Sequence, residues 1–175
     1  MRLLFNIDPK DYDPNDKAFI RPSVRSIIIR DNKVAMIHSL KYDYYKFPGG
    51  GIEADETQID TLIRETAEES GLRVIPSSIK EYGYVHRIHK GELEGIFIQD
   101  NYYYLCQAED QILSQKLDDY EADESFTLEF IAPEQAIAAN RNKEHGPKNF
   151  YMIEREAKVL ELLIKEGYFD HIQTE

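Results

Sequence analysis

The sequence predicts an α/β layered domain with a mixed sheet. Runs rich in Val, Ile and Tyr recur along the chain with strand-like lengths, and one central segment repeats its apolar residues at helical spacing. A second helical pattern closes the chain, and strands interrupted by one helix and capped by another are the signature of that class. Residues 1–175 read as one domain of ordinary size, with an N-terminal strand and loop over 1–21.

Residues 2–6 (RLLFN) read as a short strand. IDPKDYDPNDK has two Asp-Pro steps and many turn formers, so it reads as loop. Ser23–Arg30 and Lys33–Leu40 are apolar runs joined by Asp31-Asn32, which predicts a β-hairpin. Pro48-Gly49-Gly50-Gly51 ends this extended region, and Thr57–Ser70 reads as a helix that stops at Gly71. Tyr82–His89 and Gly95–Gln107 read as strands around a turn at Lys90–Glu94. Residues 109–124 are polar and acidic and read as loop with a helical turn, before a strand over Ser125–Ile131. Pro133 opens a short helix to about Asn140. Residues 149–166 form the terminal helix, with Ile153, Ala157, Leu160 and Ile164 on one side.

Composition bounds the function. The formal net charge is −12, which argues against nucleic-acid or anionic-membrane partners that need basic surface. No apolar run approaches the roughly 18 residues of a membrane span, and the start of the chain turns acidic too soon for a secretory signal. The expected location is cytoplasmic. Cys106 is the only cysteine, so an internal disulfide and a cysteine-based zinc site are excluded. Its setting, YYYLCQA, reads as a buried small hydrophobe.

The chemistry concentrates in Phe47-Pro48-Gly49-Gly50-Gly51-Ile52-Glu53-Ala54-Asp55-Glu56 and in Arg64-Glu65-Thr66-Ala67-Glu68-Glu69-Ser70-Gly71-Leu72. On a helix over Thr57–Ser70, Ile59, Leu62, Ile63 and Thr66 share a core-facing stripe. Glu65, Glu68 and Glu69 share a neighbouring face at i, i+3 and i+4. Like charges at that spacing repel, and the last helical turns favour cations instead. A bound divalent cation would remove the conflict, since carboxylates are the hard ligands that magnesium, manganese and calcium prefer. The glycines before the helix would let backbone approach a phosphate closely. Taken alone, three glutamates on a helix read as a solvated face, and many loops contain a glycine run. Together they are specific.

The pattern G-x5-E-x7-R-E-U-x-E-E-x-G-U, running over residues 50–72, resembles the Nudix box of the Nudix hydrolase family. Gly50, Glu56, Arg64, Glu65, Glu68, Glu69 and Gly71 match, and chance agreement at one start point is on the order of 10⁻⁸. The one departure is Thr66, where an aliphatic residue is usual.

The resemblance implies an α/β/α fold with a central catalytic helix. It implies a divalent cofactor, Mg2+ or alternatively Mn2+, held by Glu65, Glu68 and Glu69 with the carbonyl of Gly49 or Gly50. Arg64 would position the carboxylates. Glu56 would lie at the helix entrance, beside the metal cluster or paired to Arg64. The expected reaction is water attack on a diphosphate joining a nucleoside to another group. The proton acceptor would be Glu69, or a loop acid among Glu121, Glu124, Glu92 and Glu94, with Glu124 favoured. Gly50, Gly51, Glu56, Arg25 and Lys46 are the candidate substrate contacts, with Arg87 and Lys90 as further possible cations.

Two other readings share the fold. A nucleotide-sensing module without catalysis would be expected to carry a broken box. An isomerase of isoprenoid diphosphates would want a cysteine nucleophile, for which Cys106 is poorly set. The expected partner is a small nucleotide-type molecule, and a homodimer fits the family's habits. Tyr102 and Tyr104 must face opposite to Tyr103 if they lie on a strand, so at least one set is core.

Overall fold

The computed structural model describes residues 1–91 and 95–169. Its strands are β1 (Leu3–Ile7), β2 (Ala18–Ile20), β3 (Ser23–Ile27), β4 (Ile29–Arg30), β5 (Lys33–Ser39), β6 (Tyr44–Lys46), β7 (Leu72–Val74), β8 (Lys80–Lys90), β9 (Ile96–Leu105), β10 (Ala108–Ile112) and β11 (Phe126–Ile131). Its α-helices are α1 (Gln58–Ser70), α2 (Asp119–Asp123), α3 (Pro133–Asn142) and α4 (Phe150–Lys165).

The main sheet is mixed. β1 runs parallel to β8, β8 antiparallel to β9, and the far edge of β9 carries β2 and β3 end to end, both parallel. A second sheet is ordered β11-β5-β4, with β6 also on β5, and β7 and β10 form a separate antiparallel pair.

The hairpin forms where expected, because Asp31 and Asn32 both take positive φ (48° and 58°) as a tight two-residue turn demands. The first predicted strand is broken, however. Ser23–Ile27 pairs with β9, whereas Ile29–Arg30 turns away to pair with β5, and buried Ile28 is the joint between the two sheets. One continuous strand could not serve both. Three short strands sit where loop or no element was expected: β2, β7 and β10.

Opposite faces of β9 bury different helices. Tyr103 is fully buried in a cluster with Phe47 and with Val159, Leu160 and Leu163 of α4. Tyr104 packs instead with Val24 and with Leu62 of α1. The period-2 alternation therefore places α1 on one side and α3 with α4 on the other. The terminal helix keeps its predicted place, with Asn149 as N-cap accepting from Met152 N and Glu166 as C-cap. Among the described residues, no helix is long and apolar enough to cross a membrane.

Candidate active site

Helix α1 is delimited by local chemistry. Thr57 and Asp60 form a reciprocal capping box at its start. Gly71 ends it in the left-handed region at φ 73° and donates to Ala67 O. The expected apolar stripe is present, with Leu62 and Thr66 buried and Ile59 and Ile63 partly so.

Before α1, the glycine turn lies along β3 like an added strand. Ser26 N donates to Pro48 O at 2.9 Å, Val24 N to Gly50 O at 3.0 Å, and Ile52 N to Pro22 O at 3.0 Å. Two of the glycines are needed for space. A Cβ on Gly49, whose φ is 139°, would stand 2.1 Å from Val24 O, and one on Gly50 would stand 2.3 Å from Glu65 Oε2. The Glu65 carboxylate thus lies directly against the turn.

Arg64 and three glutamates of the box form one network. Arg64 donates to Glu56 through Nε at 2.6 Å and Nη2 at 2.7 Å, and through Nη1 to Glu65 at 2.8 Å and Glu68 at 3.0 Å. This fork holds Glu56 at about 2, far below the usual carboxylate range. Burial pushes Glu65 upward, and Arg64 opposes that shift.

Glu69 is set apart. Its residue exposure is 1%, Lys46 Nζ donates to its Oε1 at 2.5 Å, and Gly49 N donates to its Oε2 at 2.9 Å. Burial raises the carboxyl to about 7, against the pull of Lys46 and Arg25. Arg25 donates to Gly49 O, so the turn's carbonyl and amide are both engaged by predicted site residues.

The three helix glutamates do not point at one centre. Among the described residues, no group of His, Cys, Asp and Glu is arranged to hold a metal ion. The cause is charge pairing: Glu69 turns to Lys46, while Glu65 and Glu68 turn to Arg64, which separates the like charges. The donor set nevertheless fits a hard divalent cation. Three carboxylates rise from successive turns of one helix, and the missing Cβ of Gly50 leaves the Glu65 carboxylate room beside the backbone.

A cavity of about 760 Å³ opens against the glycine turn. Gly49, Gly50, Gly51, Lys46, Arg25 and Glu124 all line it, so six of the predicted site residues share one space. Glu124 is 2% exposed and accepts from Ser39 Oγ and Tyr44 Oη, each at 2.9 Å, and from Lys148 Nζ. Glu121 is buried too, but it caps its own helix by accepting from Asp118 N and Tyr120 Oη, and it does not line the cavity. Lys90 is exposed and away from the cavity, whereas Arg87 lines it. Glu92 and Glu94 lie outside the described residues.

Sequence reasoning missed Arg21, Lys148, Arg155, His89 and Gln99, which also line the cavity. Arg155 gave no signal, since it falls on the side of the helix opposite the predicted stripe of Ile153 and Ala157, yet it is 1% exposed. Cys106 is buried, and burial pushes its thiol up to about 12, which suits packing and not nucleophilic attack.

A family model of the NUDIX domain matches residues 20–154. The chain belongs to the Nudix family. Curated relatives of this Nudix chain include an RNA pyrophosphohydrolase from Stenotrophomonas maltophilia strain K279a, 29% identical over 107 residues, covering 61% of this chain and 47% of that protein. Another RNA pyrophosphohydrolase, from Xylella fastidiosa strain Temecula1, is 35% identical over 78 residues, covering 44% and 36%. The chain therefore spans less than half the length of these relatives.

Among solved structures, a NUDIX hydrolase from Nitrosomonas europaea superposes with a TM-score of 0.59 at 15% identity, over 90% of this chain and 97% of that one. A MutT protein from Bacillus halodurans superposes with a TM-score of 0.54 at 19% identity, over 68% and 72%. Both likenesses show the Nudix fold, with its mixed sheet and helices on either side.

Proposed function

We propose that this Nudix chain is a pyrophosphohydrolase that cleaves a diphosphate bond between a nucleoside and another moiety, with Mg2+ or Mn2+ as cofactor. The reading rests on one observation above the others. A buried glutamate, Glu69, meets Lys46 and the Gly49 amide beside a cation-lined cavity, within a complete Nudix box.

Glu65, Glu68 and Glu69, with the carbonyl of Gly49, would hold the metal. When bound, the cation neutralises charge on the diphosphate and polarises the P–O bond to be broken. The remaining work belongs to the chain. Arg64 gathers Glu56, Glu65 and Glu68 and fixes their orientation. The amide of Gly49 fixes the Glu69 carboxylate. Lys46 and Arg25 place positive charge at the glycine turn, where anionic oxygens would lie, and Gly50 and Gly51 let the substrate approach the backbone. Glu124 faces the same cavity and would take the proton of the attacking water at Oε1, the atom that Lys148 now contacts.

The test is incubation with Mg2+ and a panel of nucleoside diphosphate derivatives, with product identification and Glu69→Gln in parallel. Release of a phosphomonoester pair by the wild type and its loss in the variant are the expected results. Unchanged turnover in Glu69→Gln would refute the site.

A second reading has one observation in its favour. The curated relatives are named RNA pyrophosphohydrolases, so an RNA substrate competes with a small nucleotide. The net charge of −12 disfavours long polyanions, which must cross the outer surface as well as enter the cavity. Adding a short pyrophosphorylated RNA to the panel decides between them. Soluble, cytoplasmic residence and a homodimer remain part of the proposed picture, testable by fractionation and by light scattering.

A further inference from the structure

The inner wall of the cavity carries more positive charge than the Nudix box can use. Strand register explains how it arises. On the face of β9 that bears Tyr103, the preceding alternate positions are Asn101, Gln99 and Phe97. β8 sets Arg87 opposite Gln99 and His89 opposite Phe97. Arg155 then projects from α4 onto the same polar row. It donates to Asn101 Oδ1 at 2.6 Å and to Gln99 Oε1 at 3.4 Å, and it pairs with Glu156.

Arg87 is the anomaly. Its residue exposure is 7%, and among the described residues its side-chain hydrogen bond goes to the neutral Gln99, through Nη2 at 2.8 Å. Among the described residues its Nε and Nη1 are buried without a hydrogen-bond partner; Nε2 of His89, a residue 5% exposed, also lacks one, while its Nδ1 lies 2.7 Å from Lys90 O. Among the described residues, no carboxylate forms an ion pair with Arg87; Arg155 and Arg25 repel it, which outweighs the pull of Glu156. Burial and those two arginines press it down to about 9. Burying a guanidinium without an anionic partner is costly, so a purely structural role would leave that penalty unrelieved. The packed ring of Phe97, 5.2 Å below the guanidinium, does not supply the missing acceptors. An anion would.

We propose that Arg87, flanked by His89 and Arg155, forms a second anion subsite, which takes a phosphomonoester group that the substrate carries in addition to its diphosphate. This rests on the reading that the diphosphate lies at the glycine turn. Arg87 and His89 stand on β8 and Arg155 on α4, and a dianionic phosphate with three free oxygens meets such a set better than a planar carboxylate with two. Both ends belong to one cavity, so a single molecule could reach from Gly49 and Lys46 to Arg87.

The first experiment needs no turnover. Calorimetry of the full chain in EDTA, titrated with inorganic phosphate, is run on wild type, Arg87→Gln, Arg87→Lys and Glu69→Gln. We expect one phosphate per chain, at least tenfold weaker in Arg87→Gln, partly restored in Arg87→Lys and retained in Glu69→Gln. Equal affinity in wild type and Arg87→Gln, with Tm values confirming folded protein, overturns the proposal. So does equal binding of acetate.

The second experiment compares kcat/KM for two dinucleotide diphosphates that differ by a single ribose phosphate. The wild type should prefer the phosphorylated compound at least tenfold, and Arg87→Gln should bring the ratio towards one. A wild-type ratio near one overturns the subsite. Absence of all turnover with phosphate binding intact would instead count against the hydrolase reading.

Discussion

Lys46 Nζ stands 2.5 Å from Glu69 Oε1, and the two side chains are only 8% and 1% exposed. The last turn of α1 and the end of β6 are thereby joined by a buried ion pair at the edge of the cavity. Breaking such a pair leaves an uncompensated charge, so neither partner is free to change alone.

The Glu69 carboxyl is raised from an ordinary 4.5 to about 7 by burial. A raised carboxyl holds its proton in the folded chain over a range where the unfolded chain has lost it. Its stabilising contribution is therefore complete below pH 4.5 and disappears as pH rises through about 7. Thermal unfolding in EDTA should show Tm falling across that window for wild type and a flatter profile for Glu69→Gln. Parallel profiles would contradict the assignment. Divalent cation binding at pH 6 should release about one proton, read by calorimetry in buffers of different ionisation heat.

Gly49 and Gly50 should fail in different ways. A Cβ at Gly49 meets the backbone oxygen of Val24 at 2.1 Å, in a conformation with φ 139°. Gly49→Ala should cost about 2–4 kcal/mol of stability by urea denaturation. A Cβ at Gly50 meets only the Glu65 carboxylate, which can swing away. Gly50→Ala should keep its denaturation midpoint within about 1 kcal/mol while losing most of its turnover.

Arg64→Lys preserves the charge but not the fork that reaches Glu56, Glu65 and Glu68 together. The Arg64 side chain is 29% exposed, so the stability change should stay below about 1 kcal/mol. Steady-state kinetics should show kcat/KM reduced by roughly 10- to 100-fold through misplaced carboxylates. A variant with unaltered kinetics would reduce Arg64 to a surface ion pair.

Glu124→Gln is nearly isosteric and can keep hydrogen bonds from Ser39 and Tyr44. If Glu124 accepts the proton, kcat should fall roughly 100-fold or more, with KM little altered. A drop of less than threefold would return that role to Glu69.

Much of this site was legible before any coordinates. Thr57, Gly71 and the apolar spacing of Ile59, Leu62 and Thr66 define α1 through local chemistry alone, and Asp31-Asn32 does the same for the hairpin. The box itself is a local motif, so Arg64 and its glutamates could be placed from spacing. The inner cavity could not. Arg87, Gln99, Asn101 and Arg155 come together through β8–β9 register and the seating of α4, which are long-range choices. Each reads by itself as a polar residue on a solvated face. The direction of Glu69 was hidden likewise, because its partner Lys46 lies on a three-residue strand too short to announce itself.

The bonds from Ser26 to Pro48, from Val24 to Gly50 and from Ile52 to Pro22 splice the glycine segment into the edge of the main sheet. A loop stitched down in this manner has already surrendered its freedom during folding. Capturing a ligand then demands little further ordering on that side, and the preorganised amides meet it as a rigid anvil. Adaptation to ligands of different length is then left to the rest of the lining, where Lys148 and Asn149 lead into α4.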